Sequence, residues 1–200
     1  MKIVAIGAHP DDIEIGAGGS IAKHIAAGDE VYFIVLTSGG SGAGTAEIRE
    51  QEQKNSCKIL GVKELFLLRY TDTAIPNTFD TIMKVEEVIN KIKPDRVYTH
   101  YRNEIHQDHR TTCEVTLSAC RNVKQILMYE GPSTMSDFHV NFWINIDGYA
   151  QKKIDCIKAH SSEGQKEILK IDAIMGMNTF RGYQARTTFA EGFVAFRYLE

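Results

Sequence analysis

Apolar runs and amphipathic stretches alternate along the whole chain. Residues 2–8 (KIVAIGA) are almost continuously apolar, as strands covered on both faces of a parallel sheet are. Residues 17–27 read as a helix that ends at Gly28-Asp29. A second strand follows at 30–38 (EVYFIVLTS), rich in β-branched and aromatic side chains. The segment GGSGAG at 39–44 holds too much glycine for either element and reads as a mobile surface loop. Residues 45–60 form a charged helix with Gly61 placed to cap its end. ELFLL (64–68) is a third strand. In 78–92 the apolar residues fall at 79, 82, 83, 85, 88, 89 and 92, a helical period, and Pro94 stops it. RVYTH (96–100) is a fourth strand, followed by the polar RNEIHQDHR and a helix over 111–122. QILMYE (125–130) and FWINI (142–146) are further strands, 148–160 and 165–177 are helical, and EGFVAFRYL returns the chain to the sheet.

Strands and helices that alternate through short connections predict a mostly parallel sheet with helices on both faces. Right-handed crossovers make this an α/β, Rossmann-like three-layer αβα sandwich. No repeat, low-complexity tract or linker divides it, so residues 1–200 are expected to be one domain. In such folds ligands bind beyond the carboxyl ends of the strands. GAHPDD follows the first strand, SGGSGAG the second and RNEIHQDHR the fourth. His9, Asp11, Asp12, His106, Asp108 and His109 are therefore expected to meet at one edge of the sheet.

Composition narrows the partners. With 43% hydrophobic residues, 24% charged and a net charge of −3, nothing favours nucleic acid, which a strongly basic face would attract. No apolar run approaches the roughly 18 residues of a membrane span. The opening MKIVAIGAHPDD is too short in its apolar part for a secretory signal, so the cytoplasm is the expected location. Cys57, Cys113, Cys120 and Cys156 form no CxxC pair and read as small buried hydrophobes.

Imidazole nitrogens beside carboxylate oxygens suit a divalent transition metal, zinc above all. A catalytic zinc takes three protein ligands and lowers the pKa of a coordinated water toward about 7. Such a site also needs a carboxylate off the metal as proton acceptor. Adjacent aspartates can divide these tasks, because neighbouring side chains in an extended turn point in opposite directions. A second histidine could stabilise the negative oxygen of a tetrahedral intermediate. His106 and His109, three apart, would share one face of a helical turn. Plainer readings exist for each residue alone: Asp12 as a helix cap, His9 as a hydrogen-bonded strand end. Nucleotide binding fits poorly, since GSGAGT is not a phosphate loop and two carboxylates in the first turn would repel a pyrophosphate. A lid suits the glycine loop better.

AHPDDIEIGAGGSIA and HQDHR, in this order and on these strands, resemble the LmbE-like, or PIG-L, family of zinc-dependent N-deacetylases. The first motif carries His9, Asp11, Asp12, Glu14 and Gly16. The segment IREQEQKNSCKILGV resembles the family's next helix, and KIDCIKAHSS and AEGF resemble weaker signatures. The resemblance implies that His9, Asp12 and His109 hold the metal and Asp11 is the general base. It implies that His106 supports the oxyanion or serves as acid, Asp108 orients His106, and Arg49 contacts substrate. It also implies Zn2+, or another divalent transition metal, and a small N-acetylated sugar substrate of the N-acetylglucosamine type. Copies in such a family often associate, so a homo-oligomer is an expectation. The chain departs from the pattern at Glu104, at Gln107 and in the stretched HSSEGQ at 160–165. His24 and His139 are expected to be structural or superficial, and His100 to lie behind the site. The alternatives are a metal-dependent hydrolase of another amide or ester, and a non-catalytic sugar- or nucleotide-binding protein.

Overall fold

In the computed structural model, which describes residues 1–163 and 170–199, the expected alternation runs from end to end. The order is β1 (Lys2–Gly7), α1 (Asp12–Ala26), β2 (Glu30–Thr37), α2 (Ala46–Leu60), β3 (Glu64–Tyr70), α3 (Phe79–Ile92) and β4 (Arg96–His100). It continues with α4 (Gln107–Ala119), β5 (Gln125–Tyr129), β6 (Phe142–Asn145), α5 (Ala150–Lys158), α6 (Ile171–Ala185) and β7 (Ala190–Tyr198). The part of the expected helix at 165–169 lies outside the described residues.

One sheet takes all seven strands in the order β3-β2-β1-β4-β5-β7-β6. The five strands from β3 to β5 are parallel, and β7 runs antiparallel to both β5 and β6. Successive side chains of a strand point to opposite faces. On β1 and β2 this sends Ile3, Ala5, Val31 and Phe33 into one core with Ile21 of α1, Leu60 of α2 and Ile157 of α5. Val4, Ile6, Tyr32 and Ile34 enter the other core with Val85 and Ile89 of α3 and Val115 of α4. The result is the three-layer sandwich. Among the described residues no helix is long and apolar enough to cross a membrane. All four cysteines are buried and unbridged, as expected.

Two helices start earlier than the pattern suggests. α1 begins at Asp12, not near residue 17, and so adds Asp12–Gly16 to the expected helix, Gly16 among them. Glycine is a poor helix former, but packing overrides propensity here. A Cβ at Gly16 would stand 2.2 Å from Cδ2 of Tyr129, so only glycine lets the helix approach β5 this closely. The second case is α4, which begins at Gln107 instead of residue 111. His106 caps it, its Nδ1 accepting from the backbone N–H of Asp108 at 3.2 Å. Asp108 and His109 thereby sit in a rigid first turn and not in a loop.

Gly61 ends α2 in the left-handed region, φ 94°, with its N–H on the carbonyl of Cys57. Gly61→Ala is expected to cost roughly 1–2 kcal/mol, the penalty of a Cβ in that region. Urea unfolding should show a lower midpoint at unchanged slope, and an unchanged midpoint would contradict this.

Candidate active site

Three parallel neighbours, β2, β1 and β4, release their following loops at one edge. A fourth, β3, adds Asp72 and Thr73. The loops surround a cavity of about 400 Å3 lined by His9, Asp11, Asp12, Arg49, His106 and His109, among others. Six of the seven site residues expected from sequence thus share one cavity. Asp108 is buried beside it, behind His9.

The adjacent aspartates part company. Asp11 occupies the N-cap position of α1 with φ 99°, a conformation rare outside glycine, and its side chain caps nothing. Strain of this kind persists where the surroundings enforce it, often at functional sites. Here the backbone N–H of Asp11 donates to Gln53 Oε1 at 3.3 Å. Arg49 Nη2 donates to Asp11 Oδ2 at 3.1 Å and to the carbonyl of Pro10 at 2.6 Å.

Asp12 turns instead to imidazoles. Its carboxylate lies 3.4 Å from His9 Nδ1, 3.3 Å from His109 Nε2 and 3.1 Å from His100 Nε2. The far nitrogen of each flanking ring is also held. His9 Nε2 meets Asp72 at 3.0 Å and Asp108 at 3.2 Å. His109 Nδ1 faces Glu104 at 3.4 Å and Ser133 Oγ at 3.2 Å. His100 stacks on His109 at 4.0 Å between centroids. Among the described residues, three groups bring metal-binding atoms within 4.8 Å of one another: His9-His106-His109, Asp12-His100-His109 and His9-Asp72-Asp108.

The charges respond to this geometry. Burial, then the charge of Asp12, pushes Asp11 up to about 7, against the pull of His160 and Arg49. For Asp12 burial works upward too, but His109 and His100 hold it well below the carboxylate range. Burial depresses His109, yet Asp12 and Glu104 lift it to about 9. His9 is raised likewise by Asp108, Asp12 and Asp72 over the effect of burial. Burial and the nearby rings lower His106.

A pH dependence follows for the metal-free protein. A histidine raised from 6.5 to about 9 stabilises the fold fully below pH 6.5, and that contribution is lost as pH rises through 9. Asp11, raised from 3.8 to about 7, acts in the same direction over the lower window. Chelator-treated protein should therefore melt at falling temperature as pH rises from about 6.5 to 9, the range in which the lowered imidazoles of His100, His106 and His24 no longer oppose the trend. Added divalent metal, replacing the protons, should flatten that slope; a slope unchanged by metal would contradict the assignment.

One expected role differs in the structure. The carboxylate of Asp108 does not orient His106. It is held by the N–H groups of Thr73 at 2.8 Å and Ile75 at 3.3 Å and meets His9, while only its backbone touches His106. The early start of α4 turns it that way. Arg49 lines the cavity, but Nη1 and Nη2 are engaged by Asp11, Pro10, Glu163 and Gly39. It braces Asp11 from within the protein.

The glycine loop lies over the cavity, which Ser41 and Gly42 help to line. Ser41 N–H donates to Asp72 and Ala43 N–H to Glu163. Of the stretched HSSEGQ segment, Gly164 and Gln165 lie outside the described residues; His160 is buried and 3.4 Å from Glu14. His100 lies behind Asp12, as expected. His24 is structural, bonded to Asp29 and Tyr98, and His139 is exposed. Asp72, Gln53 and Glu163 join the site in addition to the residues expected there from sequence. The signal for Asp72 is that it too follows a parallel strand, and the rule for ligands at strand ends applies to β3 as much as to β1.

The family profile described as PIG-L, GlcNAc-PI de-N-acetylase, matches residues 4–120. The uncharacterized deacetylase YaiS of Escherichia coli is 38% identical over 167 residues, covering 80% of this chain and 90% of that protein. The N,N'-diacetylchitobiose deacetylase of Pyrococcus horikoshii superposes with a TM-score of 0.87 at 25% identity, over 98% of this chain and 83% of its own. The hydratase GalB of Pseudomonas putida superposes with a TM-score of 0.88 at 19% identity, over 100% of this chain and 98% of its own. At that identity the likeness shows the fold alone, and a fold does not decide chemistry.

Proposed function

The chain belongs to the PIG-L family of de-N-acetylases, and from that premise we propose that it is a zinc-dependent hydrolase acting on an N-acetylglucosamine-type sugar or sugar conjugate. It would release acetate and a free amine. The observation that carries this reading is the division between neighbouring carboxylates: Asp12 lies among imidazoles, while Asp11 faces the cavity with a pKa of about 7.

His9, Asp12 and His109 are the residues assigned to the metal. Two imidazole nitrogens and one carboxylate oxygen make a donor set that catalytic zinc takes. The carboxylates behind the rings, Asp72 and Asp108 for His9 and Glu104 for His109, are the usual support of ligating histidines, fixing ring orientation. Zinc held there would supply positive charge to the acetamide carbonyl and acidity to water.

The remaining steps belong to side chains. Asp11 takes the proton of the attacking water, for which a pKa near the working pH is best. Arg49 fixes the Asp11 carboxylate so that it does not swing toward Asp12. His106 lines the cavity with Nδ1 accepting from Asp108 N–H, which assigns the proton of the neutral ring to Nε2. That N–H donates to the acetamide oxygen as negative charge grows on it. The C–N bond then breaks, the proton on Asp11 passes to the departing nitrogen, and amine and acetate leave.

The test is incubation of zinc-loaded protein with N-acetylglucosamine and N,N'-diacetylchitobiose, with free amine and acetate measured together. Equal amounts of both, lost on chelation and regained with zinc, are expected. Absence of amine from every N-acetylated sugar tried, with hydration of a double bond instead, would overturn the reading in favour of GalB-like chemistry.

A further inference from the structure

At the opposite edge of the sheet lies a second cavity, of about 460 Å3, lined by Lys23, His24, Ala27, Arg96 and residues 142–145. Arg96 is the first residue of β4, whose last residue, His100, reaches the active site. Lys23 and His24 sit in the last turn of α1, where cations are at home against the helix dipole. Arg96 has no such reason to be there.

Arg96 is 8% exposed, and among the described residues its hydrogen-bonding partners are the uncharged groups of Gln125, Tyr98 and His24. Nε donates to Gln125 Oε1 at 2.8 Å, and Nη1 meets Tyr98 Oη at 3.3 Å and His24 Nε2 at 3.4 Å. Phe142 and Tyr198 flank the guanidinium, their ring centroids 5.9 and 5.6 Å from Cζ. Among the described residues Nη2 has no acceptor. The nearby acid, Asp29, is already taken by His24 Nδ1 at 2.7 Å and by the N-terminal ammonium at 2.5 Å. Buried charges are ordinarily paired. Here a guanidinium and the exposed Lys23 face an open cavity also lined by Phe142 and the 38% exposed Trp143. Lys23 reaches the cavity rim by its bond to the carbonyl of Asn145 at 3.1 Å.

We propose that this cavity binds a small molecule bearing an oxyanion, carboxylate or phosphate, on an apolar or planar body. The anion takes Arg96 Nη2 and Lys23 Nζ, forming charge-assisted hydrogen bonds. The body packs on Trp143 and Phe142. The site is separate from the one that holds Asp11 and stands whether or not the deacetylase reading does.

Trp143 is the only tryptophan in the chain, so its fluorescence reports on this cavity alone. Phenyl phosphate and benzoate, titrated separately into the full protein, are expected to change it saturably and less so at high salt. Whichever of the two binds tighter identifies the head group. Benzamide, the same body without charge, should bind about tenfold more weakly or not at all. Arg96→Gln should weaken binding by about tenfold or more. Lys23→Gln, at an exposed position that leaves folding intact, should weaken it several-fold. Circular dichroism checks that both variants fold. If Arg96→Gln does not fold, Lys23→Gln decides. No saturable response to either anion, benzamide binding as tightly as benzoate, or affinity unmoved by Lys23→Gln would overturn the proposal.

Discussion

Asp11→Ala is expected to cut amine release by about 100- to 10,000-fold, the usual worth of a positioned proton acceptor, while metal content stays at the wild-type level. The two readouts separate because the two aspartates differ in surroundings. Asp11 contacts Arg49 and Gln53, not the imidazoles, so its loss leaves the Asp12 cluster standing. Removing the carboxylate also frees Arg49 Nη2, which keeps Pro10 as acceptor. Single-turnover kinetics beside metal analysis of the same sample make the measurement. A variant that loses metal and activity together would move Asp11 onto the metal. One that keeps full activity would remove it from the chemistry.

His109→Ala should do the reverse, abolishing metal binding first and activity as a consequence. His109 presents Nε2 to Asp12 and is braced from behind by Glu104 and Ser133. Its loss takes away a donor and leaves Asp12 with His9 and His100. Metal affinity should fall by more than about 100-fold, beyond the 10- to 100-fold that loss of an outer partner costs. Glu104→Gln supplies that comparison, since it keeps the ligand and weakens only its support. Competition with a chromogenic zinc chelator gives both constants. Equal, small losses in the two variants would show that His109 is not a ligand.

The register of polar clusters against strands was legible in the sequence, and the reason is geometric. Parallel strands all end on one edge, so HPDD after β1 and HQDH after β4 had to meet once the strands were recognised. The starts of α1 and α4 were not legible. Each opens on residues that read as turn or loop: the acidic DIEIG in one, adjacent polar groups in the other. What makes them helical lies elsewhere in the chain, in the ring of Tyr129 against Gly16 and in the imidazole of His106 capping α4. Those early starts decide where Asp108 points, which is why its role came out differently. The pattern ends the third strand at Leu68, which leaves Asp72 well outside its following turn. β3 runs on to Tyr70, and the next turn brings Asp72 onto His9. Arg49 was identified as part of the site, but its partners Asp11 and Glu163 lie 38 and 114 positions away. Only the fold could show that Nη1 and Nη2 are occupied.

The central claim is that His9, Asp12 and His109 share one cation. Anomalous diffraction at the zinc edge, from crystals grown with equimolar zinc, tests it directly. The account predicts one strong peak within coordination distance of His9 Nδ1, an Asp12 oxygen and His109 Nε2, with Asp11 off the metal. A peak seated instead among His9, Asp72 and Asp108, or no peak between residues 9 and 109, would contradict it.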